Sequence, residues 1–283
     1  MFRPKIGLVL GGGGPKGLAH IGVIKTLVAH SIPIDYIAGT SAGALIGGMY
    51  ACTADIASLE SYIMDKNKLQ MVSYFSDVTL RAGFIEGNRI EKFLDEYTNK
   101  STFKKTKIPF AAVAVDLKTG NKVVLRAGSV TKAIRASIAI PVLFRPVEID
   151  DYILVDGGLI SSVPVESAFA MGADIVIAVQ LDYRYDPTFD FSKLNPLQVG
   201  EMSLDVVEKK VAVEEMKKAQ IILRPHLEHV HWSSLLDEKE RQISIEKGVE
   251  ETQKNILKIK YLSQTNKFSL YIKNVLHRLL QTS

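Results

Sequence analysis

The chain has 283 residues, of which 47% are hydrophobic and 23% charged, and these proportions are ordinary for a folded globular protein. Its net charge of +4 is too small to require nucleic acid, and we predict no nucleic-acid partner. A single cysteine, Cys52, excludes a disulfide within the chain, and we interpret it as core filling in a reducing compartment.

The first elements alternate between strand and helix. Residues 5–10 are a short apolar run ended by glycines, as in a buried parallel strand, and the apolar spacing over 17–30 predicts a helix. Residues 34–38 predict a second strand, and the small residues of 42–51 predict the helix that follows it. This alternation predicts a parallel sheet with right-handed crossovers.

The remaining elements continue the mixed pattern. Further helices are predicted over residues 54–66, 86–97, 130–138, 165–171, 197–218, 238–260 and 268–280. Further strands are predicted over residues 108–115, 122–126, 143–149, 152–155, 174–181 and 220–224. Residues 182–195 are polar and contain a proline, so we expect a surface loop there. The apolar stretch 69–75 has no clean period; we interpret it as core, with an acyl-chain wall or a cap as the alternative.

These elements predict an α/β fold, with three α/β/α layers around a mostly parallel central sheet. No internal repeat or linker divides the chain. We assign residues 1–223 to a main domain and residues 224–283 to a C-terminal helical extension that packs on the same domain.

A G-x-S-x-G box lies between the second predicted strand and its helix. It consists of Gly39, Thr40, Ser41, Ala42 and Gly43. In a nucleophile elbow, a serine on a sharp strand-to-helix turn projects clear of the backbone, and flanking glycines tolerate the crowding. The box therefore makes Ser41 a candidate nucleophile.

A glycine-rich loop follows the first predicted strand, at residues 11–17, and has three interpretations. A dinucleotide site needs an acidic residue at the end of the next strand, but Asp35 stands at that strand's beginning. A phosphate-binding loop needs Ser or Thr after its lysine, but Lys16 is followed by glycine. The third interpretation is an oxyanion hole, in which backbone N–H groups converge on one point beside a helix N-terminus.

We favour the oxyanion hole because only that interpretation uses the serine. Parallel neighbouring strands bring their carboxyl ends together, so the glycine loop and the elbow should be adjacent. The alternative is a tight turn with no chemical role. The candidate oxyanion-hole residues are Gly12, Gly13, Gly14, Lys16 and Gly17.

A serine nucleophile also needs a base. Histidine is the usual one, and the late candidates are His226, His229, His231 and His277, none in a distinctive context. Asp156 is the better candidate, because it follows a predicted strand and precedes Gly157 and Gly158. Taken alone, an Asp-Gly-Gly sequence is more often a turn.

Together these motifs resemble the patatin-like phospholipase family, of the bacterial type. The resemblance covers residues 5–179 and rests on the segments 12–17, 39–43 and 156–158, in that order, with 136–144 as additional support. It implies a Ser-Asp dyad in which Ser41 is the nucleophile and Asp156 takes its proton.

The resemblance further implies a serine hydrolase that acts on lipids or other acyl esters. No H-E-x-x-H, C-x-x-C or EF-hand motif is visible, so we expect neither a metal nor a cofactor. Two alternatives stay open: an acyltransferase that uses the same serine, and a lipid-binding regulatory module without turnover.

Localisation is expected to be cytoplasmic, because the first residues lack the apolar stretch of a signal peptide. Residues 36–54 are uncharged, but their glycines and hydroxyl side chains make them a poor membrane span. The predicted helix 268–280 has an apolar face opposite basic residues. It can pack on the domain or on a partner, which we favour, or contact an anionic bilayer peripherally.

Overall fold

The computed structural model describes residues 3–79, 82–181, 196–228 and 230–265, and an eight-stranded sheet lies at its centre. The strands run in the spatial order β5-β6-β3-β2-β1-β7-β8, and β4 pairs with β3 outside this path. Their bounds are β1 Ile6–Leu10, β2 Tyr36–Thr40, β3 Phe110–Asp116, β4 Lys122–Leu125, β5 Val147–Ile149, β6 Tyr152–Asp156, β7 Ile175–Val179 and β8 Ile221–Leu223.

The middle of the sheet is parallel and one side is antiparallel. Strand β1 pairs in parallel with β2 and β7, and the parallel pairing extends to β3 on one side and β8 on the other. Strands β4 and β6 each run antiparallel to β3, and β5 runs antiparallel to β6. The central strands β1, β3 and β7 are buried along their whole length, as continuous apolar runs in a covered parallel sheet should be.

Helices cover both faces of the sheet. Their bounds are α1 Ala19–Ala29, α2 Ala42–Thr53, α3 Ile56–Met64, α4 Lys68–Tyr74, α5 Asn88–Thr98, α6 Val130–Ser137, α7 Val165–Ala170, α8 Pro196–Met216 and α9 Glu238–Gln264. Along β1, Leu8 and Leu10 face a core shared with α1, α2 and α9, whereas Val9 faces a core shared with α7 and α8. The predicted three-layer α/β/α architecture is therefore confirmed.

Strand β3 has an unusual edge. Val113 pairs with both Thr40 of β2 and Val124 of β4, and the next residue, Ala114, pairs with both Asp156 of β6 and Val123 of β4. Because β4 occupies one edge, β2 and β6 must share the other. Strand β2 runs parallel to β3 and β6 runs antiparallel, so their carboxyl ends meet there.

Several elements differ from their predicted bounds. Residues 69–75 are not irregular: α4 begins after Asn67, which forms a reciprocal capping box with Gln70. The predicted helix over 17–30 is preceded by a 3₁₀ turn at Gly14–Leu18, with a proline in its first turn. The predicted loop 182–195 and the predicted helix 268–280 lie outside the described residues.

The long helix α9 packs against α1. A methyl group added at Gly248 would overlap the backbone carbonyl oxygen of Ala19, and one added at Gly22 would overlap that of Ile245. The two helices therefore touch backbone to backbone. The described part of the predicted C-terminal extension lies on the main body, while the division at residue 223 stays a prediction. No described helix combines the length and the apolar character needed to cross a bilayer.

We predict that Gly248→Ala destabilises the fold by about 1–3 kcal/mol, because the new methyl group must push α9 away from α1. Gly200→Ala is the matched control, since Gly200 lies in α8 with open space around it. There the loss of glycine's backbone freedom should stabilise by roughly 0.5–1 kcal/mol. Urea unfolding measures both; stabilisation by both substitutions would contradict the close helix contact.

Candidate active site

Ser41 occupies a strained turn between β2 and α2. Its backbone has φ 50° and ψ −123°, which residues other than glycine rarely adopt. The close approach of α2 to β1 enforces the turn: a methyl group at Gly43 would overlap the carbonyl of Leu10. The N–H of Ser41 donates to Ser137 Oγ at 3.0 Å, and that hydroxyl donates to the carbonyl of Val113. The turn is thus fixed by packing and by a buried hydrogen-bond chain.

Asp156 ends β6 and is buried. Its Oδ1 accepts the N–H of Gly158 at 2.8 Å, in the 3₁₀ turn Gly157–Leu159. Burial raises the pKa of the Asp156 carboxyl to about 7, against smaller lowering effects from that N–H and from the nearby Ser41 hydroxyl. Its Oδ2 makes no hydrogen bond to any described residue, so the approach of Ser41 falls short of a formed hydrogen bond.

The shared edge of β3 brings the two residues together. Thr40 and Asp156 pair with consecutive residues of β3, and Ser41 directly follows Thr40. The Thr40 hydroxyl donates to the carbonyl of Ser161 at 2.7 Å, which ties the end of β2 to the segment after β6. A hydroxyl on a strained turn therefore faces a buried carboxyl.

The glycine loop lies beside this pair, because Leu10 at the end of β1 pairs with Gly39 of β2. The N–H of Gly12 donates to the carbonyl of Ser162 at 3.0 Å, and the N–H of Lys16 donates to that of Gly13 at 3.1 Å. Gly17 lies within the 3₁₀ turn and contacts Ala42.

The N–H groups of Gly13 and Gly14 remain. Neither donates to a described residue, and both glycines have positive φ, of 151° and 50°. Of the five residues predicted for an oxyanion hole, these two have amides available for a ligand.

His20, at the start of α1, supports the loop from behind. It is fully buried, and its Nε2 lies 2.9 Å from the carbonyl oxygen of Gly11. Burial lowers the pKa of His20 to about 4, so the ring is neutral and its Nε2–H donates to that carbonyl. No sequence motif identifies His20, whose position in an apolar helix is its only signal.

Helix α8 packs against the glycine loop and the segment that follows Asp156. The Glu208 carboxylate lies against Gly158, and its Oε2 would be 3.0 Å from a methyl group at Gly12. Two helical turns further along α8, Glu215 accepts hydrogen bonds from the Ser161 hydroxyl and, at 2.8 Å, from the Val163 N–H. No local pattern identified these glutamates, because tertiary packing alone brings α8 to the site.

An apolar cavity of about 130 Å³ opens beside Ser41. Its lining includes the inner side of α4, with Met71 and Tyr74, and the following Phe75, so these three residues of the 69–75 stretch form a wall of this cavity. Among the described residues that line it, Lys66 alone is charged. The remaining lining residues are Gly14, Pro15, Gly17, Leu18, Ala42, Leu45, Ile46, Ile63, Ile90, Phe93, Ile138, Ile140, Phe144, Trp232 and Leu235.

The two described histidines among the candidate bases lie away from the cavity. His226 and His231 are exposed and do not line the cavity, and His231 caps the 3₁₀ turn Trp232–Leu236. His229 and His277 lie outside the described residues. Within the described ranges, no three His, Cys, Asp or Glu side chains converge to hold a metal ion.

Comparison with known sequences places these features in context. The chain matches the family described as Patatin-like phospholipase over residues 8–169, more than half its length. An uncharacterized NTE family protein of Mycobacterium tuberculosis is 34% identical over 179 residues, covering 63% of this chain and 49% of the relative. Lysophospholipase NTE1 of Mycosarcoma maydis is 29% identical over 239 residues, covering 76% of this chain and 13% of that protein. The chain spans half or less of these relatives.

Solved structures agree in fold. VipD from Legionella pneumophila superposes with a TM-score of 0.52 at 13% identity, covering 89% of this chain and 66% of that one. The type III effector protein ExoU superposes with a TM-score of 0.50 at 12% identity, covering 93% and 54%. At such low identity the likeness shows the fold alone.

We predict that Asp156→Asn stabilises the fold at pH 8. The folded-state pKa of about 7 exceeds the ordinary 3.8, so the buried carboxylate costs stability increasingly as pH rises from about 4 to 7. Removing the charge should gain on the order of 2–4 kcal/mol at pH 8 and progressively less toward pH 4. Urea unfolding across this range measures it, with exposed Asp151→Asn as control; a gain that does not vary with pH would contradict the buried charge.

Proposed function

The chain belongs to the patatin-like phospholipase family, and we propose that it is a serine lipid acyl hydrolase with Ser41 as nucleophile and Asp156 as base. The observation that carries this proposal is that Ser41 lies next to the buried Asp156 carboxyl, whose pKa is about 7 and whose Oδ2 accepts no hydrogen bond from any described residue. A base is most useful when its pKa lies near the working pH, and an ordinary aspartate would be far too acidic.

In the proposed reaction, Ser41 Oγ attacks the ester carbonyl carbon as its proton moves to Asp156 Oδ2. The tetrahedral intermediate collapses, the alcohol leaves with the proton from Asp156, and the acyl group stays on Ser41 as an ester. A water molecule then attacks this acyl carbon and gives its proton to Asp156. Release of the fatty acid returns that proton to Ser41 Oγ.

The oxyanion of each tetrahedral intermediate needs preorganised donors. We assign this role to the N–H groups of Gly13 and Gly14, because Gly12 and Lys16 already use theirs within the fold. Loss of one such donor typically costs about 10²–10³ in kcat. Lys16 would then contribute through its positive charge or by positioning the loop, because its backbone N–H donates to the carbonyl of Gly13.

The substrate is proposed to place one acyl chain in the apolar cavity, with its ester carbonyl at Ser41. Aliphatic and aromatic walls suit a hydrocarbon chain and leave little to bind a polar group. The names of the family and of the fungal relative, phospholipase and lysophospholipase, support a lipid as the donor of that chain.

We predict that Ser41→Ala and Asp156→Asn each lower kcat for a long-chain acyl ester by at least about a thousandfold, because the dyad acts as a unit. His226→Ala and His231→Ala should retain activity within a factor of about three. Release of fatty acid from a phospholipid panel measures all four, and an added alcohol separates hydrolysis from acyl transfer. A folded histidine variant without activity would overturn the dyad.

The dyad also predicts the pH dependence. Because Asp156 must be ionised to accept a proton, kcat/KM should rise with pH through an apparent pKa near 7 and level off above it. Steady-state rates on a neutral ester between pH 5 and 9 measure this limb. Full activity at pH 5 would mean that the base has an ordinary carboxyl pKa or is another group.

A further inference from the structure

Helix α4 has two apolar sides. Met71 and Tyr74 line the cavity, whereas Leu69 and Val72 face outward, with 81% and 44% of their surface exposed. An amphipathic helix normally turns its outer side to water with polar residues. Here one side borders the proposed acyl-chain site and the other presents aliphatic side chains to the outside.

A second segment repeats this arrangement beside α4. Val78, Phe84 and Val142 are exposed, and the Phe84 backbone connects them: its carbonyl accepts from Thr79 N–H at 2.9 Å and its N–H donates to the Val142 carbonyl at 3.1 Å. Two residues further on, Phe144 lines the cavity.

The two segments meet at the cavity. The rings of Phe75, directly after α4, and Phe144 lie with their centroids 6.2 Å apart. We call Leu69, Val72, Val78, Phe84 and Val142 the apolar rim.

The backbone conformation of Val142 is strained, and packing within the fold does not explain the strain. Its φ of 71° lies in the left-handed region, which is particularly unfavourable for a β-branched side chain. The side chain is 62% exposed, so core packing does not compensate. Glycine would fit this turn better. A strained, exposed aliphatic residue beside the cavity indicates that this side chain contacts another molecule and does not stabilise the fold.

Basic side chains flank the rim. Lys66 lines the cavity over the ring of Tyr62, and Lys68 begins α4 next to Leu69. Neither forms an ion pair with a described residue. The acidic residues next to this surface in the sequence are Asp65 and Asp77, and Asp77 accepts a hydrogen bond from the Arg89 N–H. Aliphatic and aromatic side chains bordered by lysines match a lipid surface that carries phosphate groups.

We propose that the apolar rim docks on a phospholipid bilayer. Docking there would let an acyl chain pass from the bilayer to the cavity without crossing water, past the segments whose inner sides line that cavity. This inference rests on the proposed function for the identity of the substrate. The docking itself requires only the surface, so the two can fail separately.

Binding is tested with the full-length chain carrying Ser41→Ala, so that hydrolysis does not alter the vesicles. Phosphatidylcholine vesicles, with and without phosphatidylglycerol, are sedimented with the protein. Adding Leu69→Ser and Val72→Ser, or Val78→Ser and Phe84→Ser, should weaken binding at least about tenfold, because each pair removes two side chains that the bilayer would bury. Leu257→Ser is the control: it is 80% exposed on α9, away from the cavity, and should bind unchanged.

Val142→Gly separates docking from folding. The substitution relieves the left-handed strain, so the melting temperature should stay level or rise, while vesicle binding falls. Equal binding by the rim pairs and the control would overturn the proposal. It would also be overturned if the rim substitutions dissociated an oligomer in the absence of vesicles, since the surface would then contact a second copy.

Activity on a water-soluble short-chain ester distinguishes the two hypotheses. With Ser41 present, the rim pairs should hydrolyse this ester at the normal rate but lose activity on vesicles. No hydrolysis of any ester by the unmodified chain would overturn the proposed function and leave the vesicle-binding result to decide the docking surface. Equal vesicle hydrolysis by rim variants and control would overturn docking alone.

Discussion

The shared edge of β3 is the constraint on which the site depends. A strand edge normally pairs with one neighbour, but here β2 and β6 approach the same edge from opposite directions and stop at consecutive residues, Val113 and Ala114. Ser41 and Asp156 lie where the two strands end. The positions of Ser41 and Asp156 are therefore fixed by the hydrogen bonds of the sheet, which is a more rigid support than a loop.

This arrangement has a cost in stability. Asp156 is buried with one oxygen that lacks a partner in the described part of the chain, and Ser41 has a backbone conformation that few residues adopt. A substitution at Asp156 or at Ser41 would remove the corresponding strain. In the chain as it is, the surrounding packing holds the Asp156 carboxyl buried and the Ser41 turn strained. Such local cost is typical of sites that need a base tuned toward neutral pH and a nucleophile held in one orientation. Helix α8 contributes to this packing, because its Glu208 lies against Gly158, two residues after Asp156.

The sequence predicted the layers, the central strands and the elbow, because buried runs such as β1 and the box around Ser41 have strong local signals. It did not predict α4, whose apolar residues face both the cavity and the outside and so show no single helical stripe. It also did not distinguish Gly12 from Gly13, since the Ser162 carbonyl that binds Gly12 is distant in sequence. Glu208 reaches the site by tertiary packing alone.

A structure of the protein after reaction with a long-chain alkyl fluorophosphonate would show whether Ser41, Asp156 and the glycine loop act together. We expect phosphorus bonded to Ser41 Oγ, one phosphonyl oxygen about 3 Å from the N–H groups of Gly13 and Gly14, and the alkyl chain in the cavity behind α4. Asp156 Oδ2 should lie next to the Ser41 oxygen. An adduct on another residue, or one at Ser41 with Asp156 turned away and no glycine N–H near the phosphonyl oxygen, would contradict this expectation.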